Sequence, residues 1–152
     1  MKTLLPCLFA AWAVAACATP LRAEEALPSQ LRIEPATTSV PLGKARLGVD
    51  PLTRPAKGDA WQGNYTVEVS PLSFASEQGR LTINVSNEAF HRLAAGQPID
   101  FSGQADSASG NRSTVQGTAT PAGGGKDSGA INVRINSKKG KLVFKTTYHL
   151  VK

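Results

Sequence analysis

Hydrophobic and polar residues alternate with a period of two over most of the chain beyond residue 60. In the first such run, Tyr65, Val67 and Val69 are separated by polar neighbours. This alternation is typical of antiparallel strands that pack one face on a core and leave the other in water. Four further runs repeat it, and their positions on the predicted inner face are Leu81, Ile83 and Val85; Ile99 and Phe101; Ile131, Val133 and Ile135; and Leu142, Phe144, Thr146, Tyr148 and Leu150.

Turn-forming residues separate these runs. Ser109-Gly110-Asn111 and Lys138-Lys139-Gly140 each lie between two runs, where they predict hairpin connections. With a further strand over residues 113–120, about six or seven strands follow one another. The pattern predicts an all-β domain over residues 59–152, built as an antiparallel β-sandwich or a small barrel.

One segment departs from the two-residue period. Asn87 is a candidate N-cap and is followed by helix-forming residues, with Phe90 and Leu93 on one side. Gly96 is a natural residue to end a helix. The segment predicts one short helix over about residues 87–95, placed as a lid or crossover between two strands.

Residues 24–58 lack this regularity. Five of the ten prolines fall here, at positions 28, 35, 41, 51 and 55. Because proline fixes φ and removes a ladder donor, we expect no long strands or helices in this segment. Residues 45–49 alternate and are the best candidate for a short extended piece. We therefore expect a Pro-rich tether and an irregular approach before the β domain.

The first 23 residues predict an export signal peptide. Lys2 supplies a positive start, and residues 4–18 are apolar apart from Pro6 and the two cysteines. About fifteen residues fall short of the roughly 20 that a membrane-spanning helix needs, so a cleaved signal is favoured. We expect a periplasmic or secreted protein without a transmembrane helix.

The position of the cleavage remains open. Val14-Ala15-Ala16-Cys17 resembles the lipobox of bacterial lipoproteins, and this resemblance implies lipid attachment at Cys17 and a membrane anchor. Cleavage after Ala23, or after Ala18, would instead release a soluble protein. Removal of residues 1–23 also removes both cysteines, so the released chain would have neither a disulfide nor a thiol.

The positive charge is concentrated near the C-terminus. Without Lys2 and Arg22, the 17 basic residues become 15 against 11 acidic ones, and the net charge falls from +6 to +4. A basic hairpin could bind an anionic membrane surface or an envelope glycan, although lysines also solubilise hairpins and protect edge strands. Nucleic acid is not expected, because the chain is exported and has no aromatic residues among its basic ones. The candidate binding residues are Arg134, Lys138, Lys139, Lys141 and Lys145.

Trp61 is a further candidate for binding. It lies at the start of the first strongly alternating run, close to Tyr65. An exposed indole ring could stack on a sugar or anchor a partner protein, whereas a buried one would seal the edge of the core. The sequence leaves both interpretations open.

No combination of residues predicts catalysis, and no cofactor or metal is expected. Glu88 and His91 have the spacing of a helical metal-ligand pair, but this pair occurs once. His149 has no acid nearby in sequence, and no Gly-x-Ser-x-Gly motif is present. The acidic residues single out no pair with the spacing of a glycosidase.

The leading hypothesis is therefore an exported, non-catalytic cell-envelope or secreted β domain that binds a ligand, an anionic surface or another envelope protein. One alternative is a structural or assembly accessory that pairs with another chain through the final strand, residues 141–151. A small hydrolase that uses His91 or His149 is the less favoured alternative.

The intact mass of the exported protein tests the predicted processing. We expect either an unmodified chain that begins at Glu24 or a chain that begins at Cys17 and carries the added mass of lipid. The Cys17→Ser variant is the control: it leaves the first product unchanged and abolishes the second. A product that retains Met1 would contradict the export prediction.

Overall fold

Strands make up most of the protein in a computed structural model that describes residues 27–55, 58–123 and 127–152. The predicted signal peptide, with Cys17 and the competing cleavage sites, lies outside the described residues. The elements are β1 (Gln30–Ile33), β2 (Ala36–Val40), β3 (Gly43–Val49), β4 (Leu52–Thr53), β5 (Ala60–Ser70), a 3₁₀ turn (Ser73–Ala75), β6 (Glu77–Asn84), α1 (Asn87–Ala94), β7 (Ile99–Ser107), β8 (Arg112–Pro121), β9 (Ser128–Ser137) and β10 (Gly140–Val151).

The sheet closes on itself as an antiparallel barrel of eight strands. Each strand from β5 to β9 pairs with the next one in the chain. β10 then pairs with β1, β1 with β4 and β4 with β5, which completes the circuit. The all-β prediction is confirmed, and of its two forms the barrel is the one observed. The barrel contains more strands than the six or seven predicted, because strands from the N-terminal part complete it.

The expectation of a tether over residues 24–58 is wrong for much of this segment, and the boundary at residue 59 divides a single barrel. β1 to β4 lie between residues 30 and 53, and β3 pairs with β5 over six residues. The prolines lie at the breaks between these strands: Pro35 between β1 and β2, Pro41 in the β2–β3 turn, and Pro51 between β3 and β4. Proline therefore delimits short strands here instead of preventing them.

The predicted helix is present as α1, with a different residue at its start. The N-cap is Ser86, whose hydroxyl oxygen accepts a hydrogen bond of 3.2 Å from the Ala89 amide, whereas Asn87 is the first helical residue. A serine hydroxyl satisfies one of the amides that have no partner within the first turn. Gly96 has a φ of +84° just beyond the helix, as predicted for the residue that ends it.

Helix α1 covers one end of the barrel, which we call the closed end. Ala89, Phe90 and Leu93 are buried against the barrel interior. The ring of Phe90 lies 5.3 Å from that of Trp61, measured between centroids and tilted by 55°. Trp61, Phe144 and Tyr148 are among the largest fully buried side chains. The aromatic side chains and the helix together account for much of the core.

Removal of the Phe90 ring tests how strongly the helix supports the barrel. We expect Phe90→Ala to lower the free energy of unfolding by about 3–5 kcal/mol, because a buried aromatic ring is lost and a cavity remains. Phe74→Ala is the matched control: Phe74 is 81% exposed, and its truncation should change stability by less than about 0.5 kcal/mol. Urea unfolding followed by circular dichroism measures both, and equal losses would contradict the packing role of α1.

Candidate functional site at the open end of the barrel

The end of the barrel opposite α1 carries four strand connections, and we call it the open end. Consecutive strands run antiparallel, so alternate connections lie at the same end. The connections at the open end are residues 41–42, 71–76, 108–111 and 138–139. The strands therefore hold these four segments around one opening, although no ladder joins β2 to β10 within the described residues.

Small and aliphatic side chains line the interior near the open end. Ala105 and Ser113 are buried here, and Val67 and Ile135 lie on the inner face of their strands. The inward-facing residues of an eight-stranded barrel either fill it or leave room for one small ligand. At the open end they leave a cleft of about 400 Å³, whose lining includes Val67, Ser113 and Ile135.

A tyrosine and a carboxylate meet on the wall of this cleft. The Tyr65 hydroxyl donates a hydrogen bond of 2.5 Å to the Glu77 carboxylate. Burial of the tyrosine, together with this hydrogen bond, raises the pKa of Tyr65 well above its ordinary value. The hydroxyl therefore stays neutral and remains a donor to Glu77 throughout the physiological pH range.

Three of the predicted basic residues lie together at the open end. Lys138 and Lys139 form the β9–β10 turn and Lys141 follows it, and all three are exposed. The Ser137 hydroxyl holds the turn by accepting a 3.2 Å hydrogen bond from the Lys139 amide and donating one of 3.1 Å to the Gly140 carbonyl. Lys139 and Lys141 also line the cleft. The predicted hairpin is confirmed, and it places these lysines at the opening.

The other two predicted basic residues lie elsewhere. Arg134 and Lys145 are exposed on the outer wall of the barrel, in the middle of β9 and β10. Arg134 lies opposite Val143 across the ladder, and Lys145 lies opposite Asn132. Lys141 shares this outer face with Lys145, and Arg134 lies diagonally between them, whereas Lys138 and Lys139 lie in the turn. The five residues therefore extend from the outer wall to the opening and do not surround one point.

Trp61 belongs to the core. Its side chain is completely buried beside Phe90, so it presents no ring to a ligand in solution. The predicted binding role requires exposure, and the structure supports the alternative in which the indole seals the core. The indole nitrogen has no hydrogen-bond partner among the described residues.

The structure adds two apolar residues that the sequence reasoning missed. Leu42 is 78% exposed in the β2–β3 turn, and Phe74 is 81% exposed in the 3₁₀ turn between β5 and β6. Both turns lie at the open end. The only signal in the sequence is a large apolar residue placed between turn formers, as in Pro41-Leu42-Gly43. Periodicity cannot detect a single residue of this kind.

The charge around the open end is mainly positive. Asp106 is paired with Arg112 through a 2.6 Å contact, and Glu77 is bonded to Tyr65. The described basic residues in or beside the four connections are Lys44, Arg112, Lys138, Lys139 and Lys141, and the described acidic ones are Glu77 and Asp106. The opening thus combines excess lysine charge with exposed apolar side chains.

The histidines lie away from the cleft. His91 and Glu88 are exposed on α1 at the closed end, and His149 lies on the outer wall, 3.8 Å from the Glu34 carboxylate. Among the described residues, no three histidine, cysteine or acidic side chains form a group that could hold a metal ion. The helix that the structure describes is also too short and too polar to cross a membrane.

Alkaline titration tests the burial of the chain's two tyrosines. Burial raises the pKa of Tyr148 as well as that of Tyr65. The unfolded chain ionises near pH 10, so the stability that the neutral hydroxyls contribute is present below about pH 10 and is lost as the pH rises further. We expect tyrosinate absorbance to appear together with alkaline unfolding, and near pH 10 in a urea-unfolded control. Ionisation of one tyrosine near pH 10 with unchanged circular dichroism would contradict this burial.

Comparison with known proteins identifies no relative from which a function could be inferred. No protein-family model, characterised protein or solved structure matches the chain. The fold is therefore described from the strand pairings alone, and a function must be inferred from the residues at the open end.

Proposed function

We propose that this protein is an exported, non-catalytic β-barrel module that binds an anionic phospholipid surface through its open end. One observation carries the proposal: the lysines of the β9–β10 turn share an end of the barrel with Leu42 and Phe74. Phospholipid surfaces have an anionic headgroup layer over an apolar interior, and the open end presents both complementary features.

The lysines supply long-range attraction. Each lysine near an anionic bilayer contributes about 1 kcal/mol, and the contribution falls off within a Debye length. Lys138, Lys139 and Lys141 project from one short hairpin and can approach the same surface together. Their contribution should therefore weaken steeply with added salt.

The two apolar residues supply a contribution that salt does not screen. Complete burial of a leucine or phenylalanine side chain stabilises binding by roughly 1.5–3 kcal/mol. The side chains of Leu42 and Phe74 lie on two different connections, so they would enter the interface at two points. Two points of insertion would also fix the orientation of the barrel on the surface.

The start of β1 shows at which end of the barrel the described chain begins, which matters for the lipidated and the released forms predicted above. β1 begins beside the end of β10, at the closed end. The described part of the chain therefore begins at the end opposite the lysines, and the released form leaves the open end free to meet any membrane.

The alternatives receive less support. Strand β10 pairs with β9 over ten residues and with β1 over its last four, and β2 lies beside the remaining part of its second edge. Pairing with another chain through this strand would have to displace β1 or β2. The hydrolase alternative has no described cluster around His91 or His149 beyond the contact with Glu34.

Vesicle binding tests the proposal. The protein should co-sediment with vesicles of phosphatidylglycerol and phosphatidylcholine and should bind phosphatidylcholine alone much more weakly. Replacement of Lys138, Lys139 and Lys141 by serine should lower the affinity on the order of a hundredfold at low salt. The matched control, Arg134→Ser with Lys145→Ser, removes wall charges and should have a much smaller effect.

The apolar contribution is measured in the same assay at high salt. Leu42→Ser with Phe74→Ser should remove the binding that persists there, whereas Val143→Ser on the outer wall should not. Equal losses for the wall and open-end variants, or equal binding to neutral and anionic vesicles, would overturn the proposal.

A further inference from the structure

The two halves of the barrel interior are filled to different extents. Trp61, Phe90 and Tyr148 occupy the half next to α1 and leave a cavity of only about 20 Å³ there, beside Phe90 and Tyr148. The other half contains the cleft of about 400 Å³. This volume falls within the range of roughly 300–1,000 Å³ that is typical of small-molecule sites. Side chains alone therefore do not fill the barrel at its open end.

The walls of the cleft suit an apolar chain. Val67, Val69 and Leu142 line it from the inner faces of β5 and β10, and Val40 lines it from β2. Leu72 closes it from the β5–β6 connection. These aliphatic side chains leave a site in which an alkyl chain would displace water from apolar surface, which is favourable.

The cleft lies beside a seam between β2 and β10, where the two strands, as far as the structure describes them, are not joined by ladder hydrogen bonds. β2 pairs with β3, but no ladder joins it to β10 within the described residues. Val40 and Leu142 line the cleft from opposite sides of this seam. A ligand chain could therefore enter both from the open end and along the seam.

Charges at the opening determine which end of a ligand would face outward. Lys139 and Lys141 line the cleft, and within the described residues neither forms an ion pair with an acid. Glu77, also on the wall, is held by Tyr65 and would repel a second negative charge. An anionic head would therefore be stabilised beside the lysines and away from Glu77.

From these observations we propose that the cleft binds a single-chain amphiphile with an anionic head, of the fatty-acid class. The alkyl chain would lie between β2, β5 and β10, and the head would lie at Lys139 and Lys141. This site overlaps the membrane-binding surface at Leu42, Lys139 and Lys141, which also line the cleft, whereas Phe74 belongs to the membrane-binding surface and not to the cleft lining.

Calorimetric titration with dodecanoate tests the site, with dodecanol as its neutral counterpart. Dodecanoate should bind below its micellar concentration, and Lys139→Ser with Lys141→Ser should weaken it by about tenfold, at roughly threefold for each exposed charge. Binding of dodecanol should change by less than about twofold in the same variant. The matched control is Lys138→Ser with Lys145→Ser, which removes two lysines that do not line the cleft.

Filling the cleft separates this site from the membrane surface. Val69→Phe places a ring in the cleft and should reduce dodecanoate binding at least tenfold, while vesicle binding is retained. Val143→Phe adds the same ring to the outer wall and should leave both unchanged. Thermal unfolding checks that each variant is folded, and Val40→Phe, from the opposite wall, replaces Val69→Phe if that variant does not fold.

The outcomes are distinguishable. Dodecanoate binding with no vesicle binding would leave this inference standing and overturn the proposed function. No dodecanoate binding, or equal losses for Val69→Phe and Val143→Phe, would overturn the inference, whatever the vesicles show. Equal loss of dodecanoate and dodecanol in the lysine variant would overturn the assignment of the anionic head.

Discussion

Closure of the sheet by the ladder between β1 and β10 is the constraint on which the other features depend. Without this ladder and the short β4 pairing beside it, the strands from β5 to β10 would form an open sheet with two exposed edges. Closure gives most of these backbone groups a partner and places one face of every strand inside. Closure also arranges the four connections of one end around a single opening, although their presence at the same end follows from the antiparallel order of the strands.

The interior shows why one end of the barrel is a candidate site and the other is core. An eight-stranded barrel has an interior that large side chains can just fill. Trp61, Phe90, Phe101 and Tyr148 lie towards α1, where the helix also excludes water. Apart from Tyr65, the inner face of the opposite half carries mainly aliphatic and small side chains. The placement of large and small residues along the strands therefore determines where a cavity can exist.

Much of the fold could be predicted from the sequence. The period of two identified β5, β6, β7, β9 and β10, and turn residues located both hairpins and the helix. The alternation at residues 45–49 indicated part of β3, whereas β1, β2 and β4 are too short, and too closely bounded by proline, for any window to contain enough alternation. The sequence does not distinguish Ser86 from Asn87 as the N-cap, because both are good capping residues and only the backbone conformation separates them.

By itself the sequence determined the strand period, the turns, the helix and the excess of basic residues near the C-terminus, because each of these depends on neighbours along the chain. Only the tertiary structure decided that the chain closes as a barrel, that Trp61 is buried, and that Arg134 and Lys145 lie on the outer wall, away from the opening. It also decided that Leu42 and Phe74 share an end with these lysines. These relations join residues far apart in sequence, and they depend on the register between strands, which no local pattern encodes.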